Sequence, residues 1–137
     1  MPSDLVPVTL SKIMQSRSYT AIILGDETKQ FAIYTEPYVG QNIQIFLTQE
    51  ERPRPSTFDL LFTILKGLDV NILRIVIHDV EESTFFARLF LEMKQKEHTT
   101  IAEVDARPSD CITLAVMDNI PIYCRKETWD KVTPVED

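Results

Sequence analysis

Two short runs in this chain set out the same chemistry twice. Arg54-Pro55-Ser56-Thr57-Phe58-Asp59-Leu60 and Arg107-Pro108-Ser109-Asp110-Cys111-Ile112 each place a guanidinium before a proline and a serine, with a carboxylate where an apolar stretch begins. Pro pre-sets φ for a helix start, Ser caps the first turn, and Asp suits the positive end of the helix dipole. Both runs therefore read as helix openings. If the two openings adjoin, two exposed helix N-termini and the guanidiniums of Arg54 and Arg107 make an anion site suited to phosphate. Asp59 and Asp110 would then hold a divalent cation or act as acid and base. The second run carries one more carboxylate just upstream, in Val104-Asp105-Ala106-Arg107-Pro108-Ser109-Asp110. That is a strand-to-helix junction, where backbone N–H groups point outward and chemistry is often hosted. The plain alternative is an Asp105–Arg107 or Asp110–Arg107 pair that locks the turn, worth about 0–1 kcal/mol at a surface.

Few other residues compete for a chemical role. His78 and Asp79 are adjacent after an apolar run and could act as a general-base couple, but a strand end entering a turn explains them as well. His98 stands in a charged loop. Cys111 and Cys124 both lie in apolar stretches and read as buried free thiols, with no zinc-ligand spacing around them. No Gly-rich phosphate loop and no nucleophile-elbow motif occurs. Phe31, Phe85, Phe86 and Phe90 could stack on bases, but without interleaved Lys and Arg they read as core residues.

The elements that must position these groups follow from periodicity and turn residues. Leu5 to Leu10, Thr20 to Leu24 and Lys29 to Tyr34 read as strands, the last two joined through Gly25-Asp26-Glu27. Thr35 offers an N-cap for a helix over 36–48, with Val39, Ile43, Phe46 and Leu47 at helical spacing. Ser56 and Asp59 have the spacing of a capping box before Phe58, Leu61, Phe62, Leu65 and Leu68, and Gly67 is a natural stop. That helix is apolar on much of its surface and is expected to be well buried. Ile72 to Ile77, Thr84 to Met93 and Thr100 to Val104 predict an antiparallel meander, with a turn over Asp79 to Ser83. A helix over Pro108 to Met117, a strand over Ile120 to Cys124, and a terminal helix over Lys126 to Val132 with Trp129 facing inward complete the chain. The fold class is α+β: an antiparallel or mixed β-sheet with two or three packed helices in a single domain spanning 1–132, followed by a flexible tail over 133–137.

Composition bounds the function. The 137 residues are 44% hydrophobic and 26% charged, which suits one globular domain. No apolar run approaches the roughly 20 residues of a membrane span. No signal peptide is visible, and the two thiols suit a reducing, cytoplasmic setting. The formal net charge of −7 argues against broad electrostatic attraction to nucleic acid and requires metal ions or a local basic strip if nucleic acid is the partner.

The stretch EVDARPSDCITLAV followed by NIPIYC resembles the signature of the bifunctional nuclease (BFN) family, in which an Asp-Ala-Arg-Pro-Ser-Asp run opens a helix and a Pro-Ile-Tyr strand follows. RPRPSTFDLL is similar to the family's Arg-Pro-x-Thr-His-Asp-Leu segment, and LRIVIHDVEESTFFARLFL to its strand pair. The resemblance covers approximately residues 8 to 132. It implies nuclease activity on DNA and RNA. Where the family commonly has His before Asp-Leu, this chain has Phe58, which cannot serve as acid, base or ligand. Joined to the residue chemistry, the expectation is metal-assisted phosphodiester hydrolysis. Asp105 and Asp110 would bind Mg²⁺ or Mn²⁺, Arg107 and Arg54 would hold the phosphate, and Asp59 would assist. The rival expectation is a non-catalytic homo-oligomer, dimer or trimer, that binds a small anion or a protein. No organic cofactor and no membrane partner are implied.

Overall fold

A computed structural model describes residues 4–135. The chain runs β1 (Leu5–Gln15), β2 (Thr20–Gly25), β3 (Gln30–Thr35), α1 (Pro37–Leu47), α2 (Thr57–Gly67), β4 (Val70–Glu81), β5 (Thr84–Lys94), β6 (Thr99–Ala106), α3 (Pro108–Asp118), β7 (Ile122–Arg125) and α4 (Lys126–Lys131). The strands form one seven-stranded sheet in the order β3-β2-β1-β7-β4-β5-β6. Every pairing is antiparallel except β4 with β7, so the sheet is mixed and the class is α+β as expected. Four helices are present among the described residues, the short α4 being the terminal helix expected over Lys126 to Val132.

The most buried parts of the sheet are β2, along its whole length, and Ile75, Val76 and Ile77 of β4. Their β-branched side chains suit a pleat covered on both faces. Helices α1 and α3 lie side by side on one face and close the core around Ile43, Ile112 and Leu114. Gly40 lets α1 press onto the sheet: its N–H donates to the buried Thr20 Oγ1 at 3.2 Å. A Cβ there would stand 2.6 Å from that oxygen and 2.1 Å from Gln15 Oε1. Near the far edge of the fold, Phe31 of β3 stacks on Phe85 of β5 with centroids 5.5 Å apart, and Trp129 of α4 meets Phe31 edge-on. Trp129 faces inward as expected.

Several local expectations change. The residue at the N-cap position of α1 is Glu36, whose side chain makes no capping bond, rather than Thr35, which ends β3; Pro37 takes the first helical position. The turn expected over Asp79 to Ser83 contracts to Glu82-Ser83, both at positive φ, which is the two-residue hairpin geometry that matches strand twist. His78 and Asp79 therefore lie inside β4. The His78 carbonyl accepts from Thr128 Oγ1 and Arg125 Nη1, at 2.8 and 3.3 Å. Helix α2 was expected to be well buried, yet none of its residues is. It touches the body of the fold chiefly through β4, and Phe58 and Phe62 are only half-buried against the core. Of the tail, Val135 donates its N–H to the Gln30 carbonyl at 2.8 Å; 136–137 lie outside the described residues.

Candidate functional site

The two Arg-Pro-Ser turns do not meet. Helices α1 and α3 start together, since Arg107 Nη1 lies 4.0 Å from Glu36 Oε1. They also end together, where Phe46 of α1 and Met117 of α3 line one cleft of about 620 Å³ with Arg52, Asp59 and Phe62. Each helix has eleven residues, so the Asp59 turn and the Arg107 turn are separated by roughly 15 Å of helix. The expected joint anion site is therefore split between the two ends of the α1–α3 pair.

The turn at Arg54 is structural. Ser56 and Asp59 form the capping box read from their spacing: Asp59 N–H donates to Ser56 Oγ at 3.1 Å, and Ser56 N–H to Asp59 Oδ2 at 2.7 Å. The same carboxylate takes two hydrogen bonds from a guanidinium, but from Arg52 rather than Arg54. Arg52 also lies over the Phe46 ring, 4.7 Å from its centroid. Those Arg52 hydrogen bonds, with the Ser56 N–H, hold the Asp59 carboxyl down to about 2 against an ordinary 3.8. Arg54 is exposed, and among the described residues it makes no ion pair or side-chain hydrogen bond. Phe58, in the place of the family's His, meets Phe46 edge-on, so the position is filled by packing.

The turn at Arg107 has a different construction. Arg107 is itself the N-cap of α3, Pro108 is the first helical residue, and no side chain caps the helix. Ser109, expected as a cap, is buried one position further in. The N–H groups of Ser109 and Asp110 are thus among those a helix start leaves without intrahelical acceptors. Arg107 donates through Nε and Nη2 to the two Asp110 oxygens at 3.0 and 3.2 Å, which leaves Nη1 facing outward toward Glu36. Asp110 first, and Tyr38 more weakly, raise the Arg107 pKa. Asp105, at the end of β6, is 78% exposed at its side chain and lies 3.7 Å from Arg88 Nε; Arg88 also bonds Glu103 at 2.7 Å. Beneath this corner is the fully buried Cys111. Burial pushes its thiol up to about 12, and Asp110 and then Asp105 add to the rise. Cys124 is likewise a buried free thiol.

Asp105, Arg107 and Asp110 follow one another across the exposed β6–α3 corner, where Arg88 meets Asp105, and Arg107 meets Asp110 and Glu36. No sequence signal tied Glu36 and Tyr38 to it, because α1 reaches the corner through tertiary packing. Arg88 reaches it from β5, where it stands across from Asp105 of β6. Four carboxylates (Glu36, Glu103, Asp105, Asp110) surround two guanidiniums here, so the corner is acidic. A family model for the bifunctional nuclease domain matches residues 22–136. The chain belongs to that family. Two curated relatives, uncharacterized proteins from two strains of Mycobacterium tuberculosis, are each 34% identical over 94 residues. The match covers 66% of this chain and 53% of each relative, so the chain spans about half the length of the curated relatives it matches. Membership in a nuclease-domain family points to a nucleic-acid-related function. No described helix is long and apolar enough to cross a membrane.

Among the described residues, no three His, Cys, Asp or Glu side chains gather closely enough to form a protein cage for a metal ion. Asp105 and Asp110 would offer Mg²⁺ or Mn²⁺ carboxylate oxygens only. Mg²⁺ commonly takes one or two carboxylates and keeps its remaining positions for water and substrate phosphate. Carboxylate oxygens are hard donors of the type such ions take.

Proposed function

We infer that the β6–α3 corner binds the phosphodiester backbone of nucleic acid and hydrolyses it with the help of a divalent cation on Asp105 and Asp110. The observation that supports this reading is the pairing of Arg107 with Asp110 at an uncapped helix start, with the exposed carboxylate of Asp105 just before it in the chain. The corner's excess of carboxylates would repel a phosphate, so a bound cation accounts for how an acidic surface accepts an anion. Such an ion supplies Lewis-acid polarisation of the phosphoryl oxygens. Arg107 Nη1 would donate to one non-bridging oxygen, and the Asp110 N–H to another. In the reaction water adds to phosphorus, one ester P–O bond breaks, and the leaving oxygen takes up a proton. Arg54 and Asp59 lie at the opposite end of α3 and have no part in this centre.

The test is cleavage of DNA and RNA by highly purified protein with Mg²⁺ or Mn²⁺, compared with Asp105→Asn. The side chain is exposed, so folding is unaffected and activity is expected to fall by about a hundredfold or more. Equal activity in the variant removes the assignment. The bidentate hold of Asp110 on Arg107 favours a second reading, a non-catalytic anion-binding module. That reading expects oligonucleotide binding without cleavage in any metal.

A further inference from the structure

Strands β1, β2 and β3 turn Ile22, Leu24, Phe31 and Ile33 into the core. The alternate residues face the other way. There Lys12, Met14 and Tyr34, with Tyr19 from the turn before β2, line a cleft of about 940 Å³. The core does not account for these tyrosines. Tyr34 is 63% exposed and Tyr19 44%, and their rings meet edge to face with centroids 5.3 Å apart. Such a pair leaves ring faces free to receive a further ring.

Charge here runs against the rest of the molecule. Residues 5–25 carry Lys12 and Arg17 and no Asp or Glu, in a chain of net charge −7. Both cations are exposed, and among the described residues neither makes an ion pair. Two lysines line the cleft, Lys12 and the Asp79-paired Lys131, against one carboxylate, Glu82. The cleft also lies close to the β6–α3 corner. Tyr34 is two residues before Glu36, about 7 Å of extended chain, and Glu36 Oε1 is 4.0 Å from Arg107 Nη1. Tyr38, 53% exposed at the start of α1, interacts with Arg107 as well.

We propose that Tyr34 and Tyr19 form a base-stacking subsite for single-stranded nucleic acid, whose backbone continues over the end of β3 to the β6–α3 corner. This rests on the corner being the nucleic-acid centre, and it names the form of nucleic acid that the centre takes. A base can lie on tyrosine only after leaving its own stack, which a single strand offers and an intact duplex does not. Stacking accepts any base and draws little on charge, which suits an acidic chain. Arg17 and Lys12 supply the local cations for phosphates beside the rings.

Fluorescence anisotropy in EDTA tests this, because binding is then read without metal-assisted cleavage. The probes are a labelled oligothymidylate, an abasic strand of the same length, and a duplex. The oligothymidylate is expected to bind about tenfold more tightly than the abasic strand, which has the same phosphates and no bases. Tyr34→Ala should erase that difference and Tyr34→Phe should keep it. Arg17→Ala should weaken both single strands alike and flatten the slope of log affinity against log salt by about 0.7. Both side chains are exposed, so circular dichroism should not change. Equal affinity for the abasic and base-bearing strands, a duplex bound as tightly as the single strand, wild-type binding by Tyr34→Ala, or no binding of any probe overturns the proposal. Tyr34-dependent binding by a protein that cleaves nothing in Mg²⁺ or Mn²⁺ keeps the subsite and removes the hydrolytic reading. Cleavage lost in Asp105→Asn, with no preference for bases, keeps that reading and removes the subsite.

Discussion

Helices α2 and α3 open on the same three residues, have the same length and carry an Asp in the same part of the first turn, yet they end in opposite circumstances. The more apolar by composition is α2, with Phe58, Leu60, Leu61, Phe62, Ile64 and Leu65, and none of its residues is buried. In α3 six residues are buried, among them the polar Ser109 and Thr113. The difference begins at the proline. In α2 Pro55 precedes the cap, so Ser56 and Asp59 complete a capping box. In α3 Pro108 sits inside the helix, Arg107 becomes the cap residue, and no side chain closes the N-terminus. The exposed helix is stabilised by its own first turn. The buried helix is held by the core, and its first turn remains available to solvent and ligands. An identical sequence signature therefore marks a cap in one place and a candidate site in the other.

The sharpest way to break that comparison is to truncate matched side chains. Ile112 in α3 is fully buried, and Ile112→Ala should cost about 2–5 kcal/mol in chemical denaturation. Ile64 in α2 is about half exposed, and Ile64→Ala should change the stability of the monomer by less than about 0.5 kcal/mol at low protein concentration. Comparable losses at the two positions would mean that α2 is packed as tightly as α3.

Much of the fold was legible in the chain because it is local. The hairpin of β2 and β3, the meander of β4 to β6 and the α3 helix follow from alternation, helical spacing and turn residues. The capping box of Ser56 and Asp59 was readable because both partners lie three residues apart. Within the candidate site, Asp105, Arg107 and Asp110 were legible for the same reason, being contiguous. What escaped depends on distance through space. Nothing in periodicity says which apolar helix receives a cover, so α2 was expected inside. Two similar turns carry no information about their separation, which the lengths of α1 and α3 decide. Arg52 and Arg54 flank one residue, and only the loop's path selects Arg52 for Asp59.

A smaller effect sharpens the contrast between the two caps. Asp59 is lowered in the folded state, so its contribution is fully present above its ordinary value of 3.8 and is lost as pH falls through about 2. Discounted for partial exposure, the shift corresponds to about 1–2 kcal/mol. Asp59→Asn should be less stable than the parent by that amount at neutral pH. Urea titrations at decreasing pH should show the gap closing below 3.8. A gap independent of pH would mean that the carboxylate's charge is not what holds the turn.

An effect on stability smaller than that of Asp59→Asn is expected at the corresponding Asp of α3. Asp110 and Arg107 face solvent, and their pairing is of the surface kind, worth about 0–1 kcal/mol and screened by salt. Asp110→Asn should therefore melt within about 1 kcal/mol of the parent, and added salt should shrink even that difference. Its effect on phosphodiester cleavage should be far larger, because Asp110 both orients Arg107 and supplies one of the two carboxylates at the corner. Thermal melts and cleavage assays on the same preparation separate the two contributions. A loss of stability as large as that of Asp59→Asn, with cleavage intact, would make the two aspartates equivalent caps and remove the functional distinction between the helices.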